Sequence, residues 1–135
     1  MSFDVVLQYS KEDGSSGDTC VSQQKRIAGG TYVMGGTNDC ELNITYNYSV
    51  HYHEIFPIAY AQKGNGQVAM ETTGLRWLTD KTGAEAIPIL ESCVERLGTK
   101  RSEDYWKATM GNAGYALSIL LEWAREFPEA RFWVY

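Results

Sequence analysis

The ribbon Leu42-Asn43-Ile44-Thr45-Tyr46-Asn47-Tyr48-Ser49 is the element around which the chain arranges itself. Leu42, Ile44, Tyr46 and Tyr48 alternate strictly with Asn43, Thr45, Asn47 and Ser49. Side chains on a strand point to opposite faces with period two, so this pattern predicts a half-buried strand with its tyrosines against the core. The other face carries short amides and hydroxyls. An amide both donates and accepts, so Asn43, Thr45 and Asn47 suit a purine edge, a sugar or a partner's backbone as well as solvent.

Upstream, Gly35-Gly36-Thr37-Asn38-Asp39 reads as a hairpin turn, because Gly and Asn tolerate positive φ. It joins the ribbon to a short strand over residues 31–34. Phe3, Val5, Leu7 and Tyr9 alternate with Asp4, Val6 and Gln8, which predicts a first strand. Residues 10–18 read as a polar loop, and residues 21–27 fit either an edge strand or a short helix. Downstream, the alternation formally runs on through Val50 and Tyr52, which would make an unusually long strand. A break at Ser49 is preferred, with Ser49 capping a short helix towards Phe56-Pro57. Residues 64–74 read as an exposed loop, and Leu75, Trp77 and Leu78 as a brief helical turn anchored by Trp77.

The second half reads as helical. Thr82-Gly83-Ala84-Glu85 fits a capping box, and Ile87, Leu90, Val94 and Leu97 follow at helical spacing until Gly98 closes the helix. Pro88 lies too deep for the first turn and should bend this helix or delay its regular start. Ser102 is placed to cap a short turn carrying Tyr105 and Trp106. A last helix runs from about Thr109 to Phe127, where Pro128 stops it. Its apolar residues spread beyond one face, so it is expected to be buried on more than one side. Residues 131–135 read as a closing strand. With no repeat and no linker, the expected fold is one α+β domain over residues 1–135. An N-terminal antiparallel sheet packs against two main C-terminal helices, with a short C-terminal strand.

A chain of 135 residues suffices for a core without disulfides or metal. Aromatic residues stand out at 13%, with nine Tyr and four Trp, and such side chains serve both cores and contact surfaces. The net charge of −5 argues against a general nucleic-acid binder, since neutralising phosphates requires a basic face. The longest apolar block, residues 116–121, is interrupted by Ser118 and far too short for a membrane span. The start Ser2-Phe3-Asp4 lacks the basic and apolar regions of a signal peptide, so a cytoplasmic location is expected. Cys20, Cys40 and Cys93 are widely spaced without a CxxC pair, which predicts free thiols and no cysteine-only zinc site. Cys93 falls in a helical pattern as a small core residue.

Three further clusters bear on chemistry. His51-Tyr52-His53-Glu54 puts both imidazoles on one side if extended, where they could hold zinc with Cys40 or Glu54. In a helix the two histidines diverge by about 200°. Thr109-Met110-Gly111-Asn112-Ala113-Gly114 lies at a helix start, where backbone N–H groups can hold a phosphate or carboxylate, with Lys107 or Arg76 adding charge. It is neither a P-loop nor a dinucleotide fingerprint, and Gly111 and Gly114 equally suit close packing of the helix on the sheet. Tyr105 and Trp106 are candidates for stacking or contact. For catalysis there is no G-x-S-x-G, no HExxH and no recognisable nucleophile–base pair. Lys100-Arg101 with Arg96 reads as a solvated patch.

Taken in order, Asn43-Ile44-Thr45-Tyr46-Asn47-Tyr48-Ser49, Gly83-Ala84-Glu85-Ala86-Ile87-Pro88, Asp104-Tyr105-Trp106 and Gly111-Asn112-Ala113 resemble a group of small proteins of tailed phages, including phages of actinobacteria. The likeness spans most of the chain from Gly29 onward, and residues 62–73 look longer than in that group. The group has no established activity and carries over no catalytic residue. What the resemblance implies is a non-structural protein made inside a bacterial host.

The expected function is a non-enzymatic binding protein without a cofactor, a host-takeover or anti-defence factor that engages a host protein or itself. One alternative is sequestration of a small nucleotide. Tyr or Trp would stack the base, Asn43, Asn47 or Asn112 would read its edges, and the Gly111 helix start would hold phosphate. The other is a small hydrolase with a metal at His51 and His53.

Overall fold

The computed structural model describes residues 2–10, 16–19, 25–27, 31–34, 40–57, 59–61, 70–104 and 106–135. Strand β1 (Ser2–Ser10) pairs antiparallel with β2 (Ser16–Thr19) at Gln8 and Ser10. Strands β3 (Lys25–Ile27) and β4 (Thr31–Met34) pair with each other, and β4 pairs in turn with β5 (Cys40–Thr45). β5 lies along β1 in the register Phe3↔Ile44 and Val5↔Leu42. A separate ribbon joins β6 (Ala59–Ala61) to β7 (Met70–Thr72). Finally β8 (Arg131–Val134) returns to β1, pairing Val5 with Val134 and Leu7 with Phe132. Every pairing is antiparallel, and the C-terminal half is helical, so the architecture is α+β as expected from the patterning.

Three helices complete the described chain: α1 (Ser49–Ile55), α2 (Gly83–Leu97) and α3 (Met110–Glu126). Phe3, Val5 and Leu7 of β1 share one core with Leu42 and Ile44 of β5, Phe132 of β8, and Leu90, Leu117 and Leu120 of the helices. Helix α3 is buried on several sides, with Ile119, Leu121 and Trp123 enclosed as well as its Ala113–Ala116–Leu120 face. Among the described residues no helix is long and apolar enough to cross a membrane.

Local chemistry sets the helix ends. The Thr82 hydroxyl accepts from the Glu85 N–H at 3.1 Å while the Glu85 carboxylate accepts from the Thr82 N–H at 3.2 Å. The Thr82 hydroxyl also donates to that carboxylate, at 3.0 Å, and the two bonds from Thr82 to the carboxylate hold the Glu85 carboxyl below its ordinary range, the backbone bond contributing most. Gly98 ends α2 with φ of 76°, a left-handed value that favours glycine. Pro88 does not delay the helix, which begins at Gly83 and contains the proline. The capping box fixes the first turn upstream of Pro88, so the missing N–H costs one bond at Ala84 rather than the start.

The ribbon departs from its pattern after Thr45. Strand β5 ends there, and Tyr46–Tyr48 form a turn of 3₁₀ helix leading directly into α1. Thr45 caps that turn, its hydroxyl accepting from the Asn47 N–H at 3.3 Å, whereas Ser49 lies inside the helical run. The short helix towards Phe56 is as expected; the break falls after Thr45 and not at Ser49, and the side-chain cap belongs to Thr45, four residues earlier. Residues 16–18 of the expected polar loop belong, with Thr19, to β2. Residues 70–72 of the expected 64–74 loop form β7. The expected turn at residues 35–39 and residues 64–69 of that loop lie outside the described residues, as do Cys20 and Tyr105.

Candidate functional site

The segment between α2 and α3 is held in place from two directions. From below, the side chain of Asn112, only 5% exposed, reaches into it. Its Oδ1 accepts from the Ser102 N–H at 2.8 Å, and its Nδ2 donates to the carbonyls of Asp104 at 3.0 Å and Lys107 at 2.9 Å. An amide is the one small side chain that can answer an N–H and two carbonyls at once. Thr109 fixes Asn112 in turn by accepting from its backbone N–H at 3.1 Å. Within the segment, the Ser102 hydroxyl accepts from the Asp104 N–H at 3.0 Å, and the Asp104 carboxylate from the Trp106 N–H at 3.0 Å. Ser102 therefore caps a local turn, although no helix follows it.

From the side, α1 and the turn before it grip the same segment. Asn47 Nδ2 donates to the Trp106 carbonyl at 2.8 Å, and His51 Nε2 lies 2.8 Å from the Ala108 carbonyl. Asn47 and His51 are four residues apart, about one helical turn, and so reach two carbonyls of the same segment from one side. Deeper in, the Tyr52 hydroxyl donates to the Ala113 carbonyl at 2.9 Å within the core. Tyr48, Tyr52 and Phe56 stack edge to face beneath this seam, with centroids 6.4 and 6.0 Å apart. Trp106, by contrast, is 53% exposed on the outer side. Val50, just before His51, and Met110, just after the segment, are 55% and 52% exposed.

Glycines let the segment lie this close to α3. A Cβ on Gly111 would overlap the Lys100 carbonyl oxygen, and one on Gly114 would overlap that of Gly98. Both glycines thus serve close packing, against the α2–α3 connection rather than against the sheet.

The remaining sequence-derived candidates separate. Asn43 is half-buried and donates to Ser2 Oγ at 2.7 Å and to Asp4 Oδ1 at 2.8 Å, Asp4 being its register partner on β1. Thr45 is 2% exposed, so Asn43, Thr45 and Asn47 do not line one open face. Arg76 lies over the Phe3 ring, 5.0 Å from its centroid. His51 faces Ala108, while His53 lies against Gly74, where a Cβ would come within 3.3 Å of Nδ1. The two imidazoles therefore diverge as helical geometry requires. Among the described residues no group of three His, Cys, Asp or Glu is placed to hold a metal. Cys93 is buried in the core, and burial pushes its thiol up to about 11.

Sequence reading passed over a cleft of about 200 Å³ lined by His51, Glu54, Ile55, Arg96, Leu97 and Met110. Its residues come from α1, the last turn of α2 and the first residue of α3, so only the fold assembles them. Spacing alone gave no signal for it. The series Tyr48, Tyr52, Phe56, at four-residue intervals, is a helical signal on this side of the ribbon that the alternation reading passed over.

Compared with protein-family models, with curated proteins and with solved structures, the chain finds no match in any of the three.

Proposed function

We propose that the protein is a non-enzymatic binding protein acting through protein–protein contact, with Trp106 as its anchor. The observation that carries this reading is an exposed indole on a segment whose backbone is tied down at Ser102, Asp104, Trp106, Lys107 and Ala108. Exposing a Trp forgoes the burial free energy of a large apolar side chain, and fixing its backbone beforehand removes part of the ordering cost of binding. Trp is also the residue type most enriched at the energetic centres of interfaces. Val50 and Met110 supply further apolar area beside the same segment. The likeness to tailed-phage proteins gives the partner's class: a bacterial host protein or a second copy of the chain.

The nucleotide reading has less behind it. Asn43, Asn47 and Asn112 each spend their amides on bonds within the chain, and none lines the cleft. A cleft of about 200 Å³ is also smaller than the roughly 300–1,000 Å³ of sites that take nucleotide- or drug-sized ligands.

Native capture from host lysate with the wild-type chain and with Trp106→Ser tests the proposal. A saturable partner retained by the former and lost by the latter is the expected result. No saturable partner, or equal recovery with both, overturns it.

A further inference from the structure

The cleft between α1 and the α2–α3 connection carries an unusual set of groups for its size. Ile55, Leu97 and Met110 give it apolar walls, and Glu54 and Arg96 bring one carboxylate and one guanidinium. No ion pair joins Glu54 to Arg96; the described ion pairs are Glu91–Arg125 and Asp80–Arg131. His51 forms a fixed wall, its Nε2 held at the Ala108 carbonyl. Opposite charges lining one small space without neutralising each other match a ligand with an acid and an N–H donor on neighbouring atoms. Arg is the side chain best suited to a carboxylate, which it meets with two parallel N–H bonds. A carboxylate such as Glu54 has only acceptors and so calls for a donor.

We infer that this cleft binds an α-amino-acid unit with an apolar side chain. The carboxylate sits on Arg96, the amine or amide N–H on Glu54, and the side chain against Ile55, Leu97 and Met110. The volume of about 200 Å³ fits one residue-sized group and not a nucleotide. This chemistry is shared by a free amino acid and by the C-terminal residue of a peptide. The inference does not rest on Trp106.

The test is a titration of methyl-labelled protein, observed by NMR, with leucine, N-acetyl-leucine and leucinamide. Saturable shifts at Ile55, Leu97 and Met110 are expected from leucine, N-acetyl-leucine or both, with leucinamide weaker by about tenfold. Arg96→Gln should remove that tenfold preference and leave leucinamide unchanged, and Glu54→Gln should weaken leucine more than N-acetyl-leucine. Both side chains are exposed, so thermal melts of the two variants should match the wild type. Stronger binding of leucine indicates a free amino acid as the source, and equal or stronger binding of N-acetyl-leucine a peptide C-terminus; either supports the inference. Absence of saturable shifts from all three probes overturns it. So does leucinamide binding as well as leucine to the wild type, a comparison that needs no variant.

Discussion

Replacing Asn112 tests the described architecture at the point where most of its bonds converge. To described residues the side chain makes three hydrogen bonds, at 2.8, 3.0 and 2.9 Å, with the backbone of Ser102, Asp104 and Lys107. At a net of about 1 kcal/mol each, complete loss costs about 3 kcal/mol. The outer side of the segment faces water, which can take over part of the loss, so Asn112→Ala is expected to cost about 2 kcal/mol. With a urea m-value of about 1–3 kcal/mol/M, the midpoint should fall by roughly 1 M at unchanged m. Asn112→Asp sharpens the test, because the shape and the bond from Ser102 survive while a carboxylate now faces two carbonyls. That site favours the neutral acid, so the folded pKa lies above the unfolded value of about 3.9. A raised folded pKa gives stability that is present below the unfolded pKa and lost as pH rises through the folded one. Measured against wild type at each pH, Asn112→Asp should therefore be closest near pH 4 and should lose ground towards pH 7. An Ala variant within about 0.5 kcal/mol of wild type, or an Asp variant as stable as wild type at pH 7, would refute the reasoning.

Thr82→Ala removes the hydroxyl half of the capping box, leaving the backbone N–H of residue 82 to donate to Glu85, and is expected to lower stability by about 1 kcal/mol in the same denaturation assay. Because the Glu85 carboxyl is lowered, its contribution holds above its unfolded pKa and fades as pH falls through the folded value. The difference between wild type and Thr82→Ala should thus shrink on acidification. Gly114→Ala gains about 1 kcal/mol of helix propensity but drives a methyl into the Gly98 carbonyl, so a net loss of about 1–3 kcal/mol is expected in thermal or urea melts. Mass-mapped alkylation should leave Cys93 unlabelled in the native state and label it on unfolding. Its raised thiol favours the fold below the unfolded pKa, and that contribution is lost as pH rises through about 11.

Features written in neighbouring residues were legible in the sequence. The cap at Thr82, the helix start near Thr109, the stop at Gly98, the alternation of Phe3, Val5 and Leu7 and the closing strand at residues 131–134 all depend on contacts a few residues long or on simple periodicity. Together they gave the α+β class. The ribbon was read one stretch too far, because Tyr46 and Tyr48 continue a period of two while Tyr48 also begins a period of four with Tyr52 and Phe56. Thr45 decided between them by bonding its hydroxyl to the Asn47 N–H, a local competition that alternation does not register. The candidate site was harder. Trp106 and Asn112 were singled out by residue type, but Asn112 matters through side-chain bonds to a non-repetitive segment five to ten residues back, and the Trp106 segment is placed by bonds spanning 59 residues from Asn47 and 57 from His51. The cleft at Glu54 and Arg96 joins residues more than 40 positions apart in the sequence.

Everything proposed for Trp106 depends on its segment being held still before a partner arrives. Backbone ¹⁵N relaxation across residues 99–109 of the isolated protein measures this directly. Order parameters near 0.85, equal to those of α2 and α3, are the expected result. Values below about 0.6 at Trp106 and Lys107 would contradict it, since a segment that mobile is not pinned by Asn47, His51 and Asn112.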